Sequence, residues 1–468
     1  MSALLAVLIG VALLYLFVGL RVVRRAKTAE AFFVGDRRLG AGLIFSTLLA
    51  ANIGAGTTVN ATALGYANGI SAWWWVGSAG LGSLVLAWWI GPKIRRHAAG
   101  AGLRTLGDYL EWRYSPGVRT LGAALLAPGS LFLLAVQLTA MGLLLQVVAG
   151  TPYWVGVVIG GSVATAYFAA GGLAGAARVN ALQLVLEYGG FFLVIPFGIL
   201  IAGGWDAVVE GVPGGTYWHF TSGGSAGVWY LAMLGPAFIV SPGLLQKVYG
   251  AADDRAVRLG VGLNALALLV FAAVPPLLGI VARAQFPDLI DPQLALPTLL
   301  QEGVPAWVGA IGVAAVFSAE LSTCDAILFM VTTSVSQDML RPMLKARADE
   351  VTFLRLARWA AIVSGALAVG LAVAAPRMVD LLTIFYSLLT AGLAVPIIAG
   401  LYADWPGPRH AAAAMIGGMV GLVAARILDL PQRSPWLSEA VVGLAVALAA
   451  FAVAAVVLPR AAVRTSTP

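Results

Sequence analysis

The stretch GAIGVAAVFSAELSTCDAILFMVTTSVSQDML, residues 309–340, places four polar side chains at the centre of an apolar run. They are Glu320, Ser322, Thr323 and Asp325, and the run around them is long enough to cross a bilayer as a helix. Ionisable groups at bilayer depth are expensive to bury, and they commonly mark an ion or substrate pathway. The stretch therefore predicts a membrane-spanning helix with a functional site near its middle.

Three residues of this helix share one face. Ala319, Ser322 and Thr323 stand at i, i+3 and i+4, so their oxygens can converge on a single partner. A small hard cation is one candidate for that partner. The alternative is that the two hydroxyls bond back to carbonyls one turn earlier, as Ser and Thr in membrane helices often do.

The composition excludes a water-soluble core. The 468 residues are 60% hydrophobic and 10% charged, and the mean hydropathy is +0.92. Repeated apolar runs of helix length indicate an all-α, polytopic membrane protein. The single cysteine, Cys324, excludes an intramolecular disulfide, and the scatter of the three histidines along the sequence argues against a metal or catalytic cluster of His.

Hydropathy predicts about thirteen transmembrane helices. Their predicted ranges are 3–21, 39–66, 71–92, 118–149, 153–171, 180–203, 226–246, 257–282, 305–336, 351–374, 378–402, 410–428 and 436–459. The opening run has basic residues after it and none before it, which predicts a retained first helix rather than a signal peptide.

Charge predicts the orientation of these helices. All but four of the 28 Lys and Arg fall in the loops and the C-terminus that this assignment places in the cytoplasm, the exceptions being Arg283, Arg377, Arg426 and Arg433. We therefore expect the N-terminus outside and the C-terminus in the cytoplasm of a cell (inner) membrane. The net charge of +7 follows this rule and does not imply a nucleic-acid partner.

Two of the predicted helices carry residues that interrupt a helix. The segment LLAANIGAGTT, residues 48–58, contains Gly54 and Gly56, and GPAFIVSPG, residues 235–243, contains Pro236 and Pro242. These segments open two successive blocks of five helices, and an odd number of helices inverts the second block relative to the first. The predicted organisation is an N-terminal extra helix and loop (1–38), two inverted repeats (39–203 and 204–402) and two C-terminal helices (403–468).

Several segments, in this order, resemble the sodium/solute symporter family. They are AEAFFVGDRRLG (29–40), AANI (50–53), AAGGLAGAARVNALQ (169–183), SPGLLQKVYGAADDRAVR (241–258), SAELSTCDA (318–326) and SQDML (336–340). The resemblance implies the LeuT-type fold of two inverted five-helix repeats. It further implies a transporter rather than an enzyme, with sodium as the coupling ion and no other cofactor or metal.

The resemblance also implies a sodium site between the interrupted helix 39–66 and the helix 305–336. Its ligands would be the backbone carbonyls of Ala50, Ile53 and Ala319 and the hydroxyls of Ser322 and Thr323. Unwinding at Gly54 would free carbonyls for a hard cation.

One position departs from the family pattern. Asn180 stands where family members commonly carry an Asp, and Asp325 stands where some members use a small hydroxyl residue. One hypothesis is that the carboxylate has moved, so that Asn180 and Asp325 face each other across a second cation site or exit path. The alternative is that Asp325 forms a structural salt bridge, for example to Arg178. For Glu320, a cationic substrate, a proton or a buried structural partner all remain open.

The substrate cavity is expected just outward of the sodium site. The candidates by position are Asn52, Thr57, Thr58, Trp75, Ser78, Gln137, Thr139, Phe238, Tyr386, Ser387 and Thr390. Ordinary helix packing is the alternative for any one of them. Leu234 and Ala237 stand where sugar-transporting relatives carry polar groups, so a small organic acid or amino acid is favoured over a sugar.

These features together predict sodium-coupled symport of a small organic solute by alternating access. The expected partners are that solute, sodium and the lipid bilayer. Proton coupling through Glu320 or Asp325 is the alternative within transport. A transporter-like sensory protein is a further alternative, and a membrane-embedded enzyme is disfavoured because the intramembrane ionisable residues are few and spread out.

Overall fold

The computed structural model describes residues 6–11, 13–15, 37–340, 350–375 and 377–459, and the chain there is almost entirely helical. The predicted first helix, 3–21, is helical at residues 6–11 and 13–15, and its remainder, with the basic residues that follow it, lies outside the described residues.

The helices that follow are numbered from residue 41. They are α1 Ala41–Asn52, α2 Val59–Asn68, α3 Trp73–Val85, α4 Gly91–Ala101, α5 Leu106–Arg113, α6 Pro116–Ala149, α7 Tyr153–Ile201, α8 Trp205–Glu210, α9 Tyr230–Val240, α10 Pro242–Tyr249, α11 Asp254–Phe271, α12 Val274–Gln285, α13 Ala295–Glu302, α14 Ala306–Thr333, α15 Glu350–Ala374, α16 Met378–Tyr402, α17 Pro408–Ile427, α18 Leu430–Arg433 and α19 Glu439–Val457. Two short strands, β1 (Ser222–Gly223) and β2 (Ala226–Gly227), pair antiparallel between α8 and α9.

In the described part of the chain, ten helices are long and apolar enough to cross a membrane, and three shorter apolar helices accompany them. Each of the thirteen predicted helices has a counterpart among these thirteen spans, two of which, Tyr153–Ala166 and Leu182–Ile201, are parts of the single helix α7. One boundary was predicted wrongly: 153–171 and 180–203 were predicted as separate helices, but the backbone is helical throughout α7. The one proline in α7 is Pro196, so no residue between the two predicted helices forbids helical backbone.

The helix break predicted at Gly54 is confirmed. Helix α1 ends at Asn52, Ile53 is extended (φ −95°, ψ 100°), and α2 begins only at Val59. A Cβ on Gly54 would lie 2.6 Å from Gln137 Oε1 and closer still to Thr323 Oγ1. Glycine is therefore needed here because α6 and α14 approach the backbone of the break.

The second predicted break is also confirmed. Helix α9 ends at Val240, Ser241 leaves the helical region (φ −55°, ψ 121°), and Pro242 begins α10. Proline suits the first position of a helix, where its missing N–H would have no partner. The helix is thus interrupted at Ser241, between α9 and α10.

Helix α14 lies at the centre of the molecule. It packs against α1, α6, α7 and α15, and it belongs to the most completely buried of the ten membrane-length helices. Such a helix has no lipid-facing stripe, which is why its sequence is apolar all round except at the site.

An ion-pair cluster joins α5, α6 and the helical turns that follow α14, Ser334–Leu340. Arg119 of α6 contacts the carboxylates of Asp108 (3.1 Å), Glu111 and Asp338 (3.1 Å). The Thr105 hydroxyl also donates to Asp338 Oδ1 at 2.7 Å. The predicted motif SQDML therefore contributes Asp338 to a packed structural contact.

The loop between α8 and α9 is attached to α2 and α3. The Tyr217 hydroxyl donates to the carbonyl of Gly65 at 2.9 Å, and the Ser225 amide donates to Asn68 Oδ1 at 2.9 Å. The Trp74 indole donates to the carbonyl of Phe220 at 2.9 Å. These bonds hold the β1–β2 hairpin against one end of α2.

Candidate functional site

Five oxygen atoms converge where the break after α1 meets the middle of α14. The Ser322 hydroxyl lies 2.9 Å from the Ala50 carbonyl and 3.0 Å from that of Ala319. The Thr323 hydroxyl lies 2.9 Å from the Ile53 carbonyl and 3.4 Å from that of Ala50. The structure therefore brings together the five residues predicted as sodium ligands.

The number of acceptors around these hydroxyls exceeds the hydrogens available. Each hydroxyl carries one hydrogen, yet Ser322 has three acceptors within reach and Thr323 has two. A cation among these oxygens would satisfy the lone pairs that the two hydroxyl hydrogens leave over. The C-terminal end of α1 contributes as well, because the last carbonyls of a helix carry partial negative charge.

The back-bonding alternative accounts for only part of this geometry. Ser322 does contact the carbonyl one turn earlier, that of Ala319. The Thr323 hydroxyl instead contacts two carbonyls of α1 and its C-cap. Both hydroxyls thus contact the helix break, as an ion site shared by two elements requires.

A third side chain at this site, beside those of Ser322 and Thr323, was missed in the sequence. Glu187 of α7 is fully buried, and its Oε1 lies 3.1 Å from the Ser322 hydroxyl. The spacing of Asn180, Gln183 and Glu187, at i, i+3 and i+7, places all three on one face of α7. That periodicity was available from the sequence, but the family motif ends at Gln183.

The residues proposed for a second cation path are both buried. The side-chain carbonyl of Asn180 and both carboxylate oxygens of Asp325 lack a hydrogen-bond partner among the described residues. Arg178, the alternative partner of Asp325, lies where side chains are not described. Both hypotheses for Asp325 stay predictions.

Glu320 contacts the other side of the break. Its Oε1 accepts a hydrogen bond from the Thr58 hydroxyl at 3.1 Å, and Thr58 also donates to the Gly54 carbonyl at 2.9 Å. Among the described residues, the hydrogen bonds of Glu320 go to the break and not to the five converging oxygens. Its observed contact ties α14 to the first residues before α2.

A cavity opens beside the five oxygens. Five of the predicted substrate residues line it, together with Gly54, Gly56, Thr323 and Lys247. Those five are Asn52, Thr57, Gln137, Phe238 and Tyr386. Thr323 thus belongs both to the cavity wall and to the proposed ion site.

The other six predicted substrate residues lie outside that lining. Thr58 binds Glu320, and Trp75 packs edge-on against Tyr386 with ring centroids 6.1 Å apart. The remaining four are buried side chains within or between helices: Ser78, Thr139, Ser387 and Thr390. The Thr390 hydroxyl, for example, donates to the Met233 carbonyl at 2.6 Å, linking α16 to α9.

Lys247 is the one charged side chain in the lining of this cavity. It is only 5% exposed, and its ammonium donates to the Thr47 carbonyl at 2.6 Å. An ammonium has three donors, so two remain for another acceptor. Sequence analysis did not single out Lys247, because it lies just beyond the predicted helix 226–246, where a basic residue is expected.

A helical membrane protein with an interrupted helix facing an oxygen-lined site has the architecture of a cation-coupled transporter. The sodium:solute symporter family model matches residues 32–421. The chain belongs to that family, and the family and its named members are transporters, not enzymes.

Individual relatives are distant. The chain is 25% identical to the human sodium/iodide cotransporter, over 69% of this chain and 53% of the relative. It is 24% identical to the bovine sodium-coupled monocarboxylate transporter 2, over 70% and 56%. It is 27% identical to the Escherichia coli sodium/pantothenate symporter, over 85% and 84%. The chain thus spans about half the length of the first two.

Two solved structures show the same fold. A sodium-coupled sialic acid symporter matches with a TM-score of 0.81 at 18% identity, covering 98% of this chain and 99% of that one. A nucleobase-cation-symport-1 family transporter matches with a TM-score of 0.56 at 15% identity, covering 91% and 95%. The predicted family and the predicted LeuT-type fold are confirmed.

Proposed function

We propose that the protein is a secondary active transporter that couples sodium entry to uptake of a small organic solute by alternating access. The observation that carries the proposal is the convergence of five oxygens from α14, from α1 and from the α1 C-cap. Hard cations favour such carbonyl and hydroxyl oxygens, and unwound transporter helices supply them.

Sodium at this position would couple ion binding to the substrate cavity. Bound sodium would hold the break against α14 and so fix the cavity wall, because Thr323 belongs to both. Inward movement of one sodium ion supplies about 2.3 kcal/mol per 100 mV of membrane potential, before any concentration gradient is counted.

The solute proposed is a small organic anion. Lys247 supports this because its buried amino group lines the cavity and would pair, as an ammonium, with an anion bound there. The names of the relatives agree, since iodide, monocarboxylates, pantothenate and sialic acid are anions at neutral pH. An amino acid is a zwitterion at neutral pH, but it presents the same carboxylate to Lys247 and remains the alternative solute.

The remaining predictions from the sequence belong to the same proposal. These are the N-terminus outside, the C-terminus in the cytoplasm of an inner membrane, the four segments 1–38, 39–203, 204–402 and 403–468, and a second cation path at Asn180 and Asp325. The E. coli relative supports an inner membrane.

Proton coupling on the same fold is the second candidate. It is favoured by the carboxylate of Asp325, which is buried and has no hydrogen-bond partner in the described ranges. Uptake that persists in sodium-free buffer and follows an imposed pH gradient would select it. Uptake that stops without sodium would select the sodium mechanism.

The test is a thermal-shift screen of the purified protein against organic acids, amino acids, vitamins and sugars, with sodium or choline as the cation. We expect an organic acid to raise the unfolding temperature only in sodium. The double variant Ser322→Ala/Thr323→Ala should abolish the sodium requirement. Ser318→Ala is the matched control, since its buried hydroxyl on α14 bonds back to Ala314 at 2.6 Å. Full sodium dependence in the double variant would show that the proposed ligands are wrong.

A further inference from the structure

An apolar groove lies between α3 and α9, apart from the substrate cavity, with which it shares no lining residue. Leu81, Leu231 and Ile239 line it, and it encloses about 640 Å³. Gly82 and Gly235 line it as well, and the two helices touch there, because a Cβ on Gly82 would overlap the Gly235 carbonyl oxygen. The groove is therefore as large as many small-molecule sites, but almost wholly apolar.

The length of the groove matches one leaflet of a bilayer. Leu231 and Ile239 lie about 12 Å apart along α9, at the helical rise of about 1.5 Å per residue. The hydrocarbon core of a bilayer is about 30 Å thick, which gives each leaflet about 15 Å. A single acyl chain that starts at the headgroups would therefore run along most of the groove.

Two exposed tryptophans mark one end of the groove. Trp88 and Trp89 belong to its lining, and they are 48% and 61% exposed. They lie in the π-helical turn Leu86–Ile90, which joins α3 to α4. Tryptophan is enriched where the hydrocarbon of a membrane meets the headgroups. This end of the groove is thus expected at the level of the headgroups.

The chain becomes basic directly beyond the tryptophans. Helix α4 carries Lys93, Arg95 and Arg96 and no acidic residue. The two arginines share one carboxylate, that of Asp254, and no ion pair in the described part of the chain includes Lys93. The headgroup end of the groove therefore has an excess of positive charge.

Lys93 is connected to the end of the groove by direct contacts. Its ammonium lies 4.2 Å from the centre of the Tyr402 ring, and the Tyr402 hydroxyl donates to the Trp89 carbonyl at 2.9 Å. Asp404 lies close enough to His97 to interact with its charge. Since an ammonium over a ring face keeps N–H donors for other acceptors, Lys93 can bind a phosphate beside Trp89.

We propose that the groove binds an anionic phospholipid, with one acyl chain between α3 and α9 and the phosphate at Lys93. In a membrane the chain gains only van der Waals contacts from the groove, so the preference for this lipid comes mainly from the charged end. The site bears on transport because α9 presents Ile239 to the groove and Phe238 to the substrate cavity. The inference requires neither the ion nor the solute of the proposed function.

The headgroup is tested with two phospholipids that have identical acyl chains. We would titrate the purified full-length protein with dioleoyl phosphatidylglycerol or dioleoyl phosphatidylcholine and count bound lipids by native mass spectrometry. The first phosphatidylglycerol should bind at least about fivefold more tightly, the factor that one basic residue near an anionic lipid contributes. Lys93→Gln should reduce this preference about fivefold. Arg409→Gln is the matched control, because Arg409 is exposed and lies in the first turn of α17, which does not line the groove.

The acyl chain is tested by filling the groove. A Cβ on Gly235 would meet only Leu231, at 3.4 Å, so Gly235→Leu adds a side chain to the groove without displacing backbone. We expect the first phosphatidylglycerol to bind this variant no more tightly than the lipids that follow it. Gly370→Leu is the matched control, since Gly370 is exposed on α15 and a Cβ there would meet nothing within 4 Å.

Four results would overturn the inference. The first is equal affinity of the native protein for the two lipids. The second is a preference that survives Lys93→Gln but is lost in Arg409→Gln, and the third is unchanged binding in Gly235→Leu. The fourth is a dimer in the same spectra that Gly235→Leu dissociates, which would make the groove an interface between two copies of the chain. Lys93 is partly exposed, so its variant decides the question even if Gly235→Leu does not fold. None of these results would affect the proposed sodium site.

Discussion

Gly54→Ala should lower the affinity of the proposed site for sodium, because the added methyl group overpacks it. The added Cβ would lie 2.7 Å from Thr323 Cβ and 2.6 Å from Gln137 Oε1, whereas ordinary contacts begin at 3.4 Å. Thr323 Cβ would then have to withdraw by about 3.4 − 2.7 = 0.7 Å, although its hydroxyl now lies 2.9 Å from the Ile53 carbonyl. Overpacking of this kind costs about 1–3 kcal/mol, which corresponds to about five- to 150-fold in sodium affinity if it is taken from ion binding.

Gly56→Ala provides the control from the same loop. Its added Cβ would meet only Leu382 side-chain carbons at 3.3 and 3.4 Å and the Tyr386 hydroxyl at 3.9 Å. A leucine side chain can shift by a tenth of an ångström, so sodium affinity should stay within about twofold of native. Both affinities follow from the sodium dependence of the unfolding temperature. A well-folded Gly54→Ala protein with native sodium affinity would refute the view that close packing of the break on Thr323 defines the site.

Three further predictions concern charged side chains. Lys247→Gln should weaken binding of any stabilising organic acid about tenfold or more, measured by thermal shift in sodium, because hydrogen bonds to charged groups contribute about 1.5–3 kcal/mol; unchanged affinity would remove Lys247 from substrate binding. Arg119→Met should lower stability by about 3–5 kcal/mol in denaturant unfolding, because it removes the cation from the buried carboxylate of Asp338, whereas Arg96→Met, at a side chain 63% exposed, should cost no more than about 1 kcal/mol. Asp325→Asn should shift the sodium concentration for half-maximal uptake; unchanged sodium dependence with reduced stability would support a structural role instead.

Much of the fold was predictable because membrane helices follow hydropathy. Glycine and proline located the two breaks, since each removes something that a continuous helix needs. The two predicted helices within α7 were harder to judge, because small residues such as those near Gly171 are compatible with both a turn and a helix. Hydropathy falls there whether or not the backbone remains helical.

The site was predictable only where residues lie close in sequence or follow the family pattern. Ser322 and Thr323 were identifiable as candidate ligands because they are hydroxyl residues in an apolar helix. Glu187 was overlooked because its importance depends on how α7 is rotated against α14, which the sequence of neither helix determines alone. Lys247 was overlooked for a related reason: only the folded chain shows that the helix carrying it borders the same cavity as Asn52 and Tyr386.

Because the β1–β2 hairpin is hydrogen-bonded to α2, a protein that binds the hairpin would also restrain that helix. Its tip at Gly224 and Ser225 is exposed, while the Ser225 amide is bonded to Asn68 at the end of that helix. An antibody fragment that binds the tip would be coupled to α2 through these bonds. It would therefore slow any motion of the helix relative to its neighbours. Such a fragment would serve both to trap one state for structure determination and to report, by its binding rate, which state the transporter occupies.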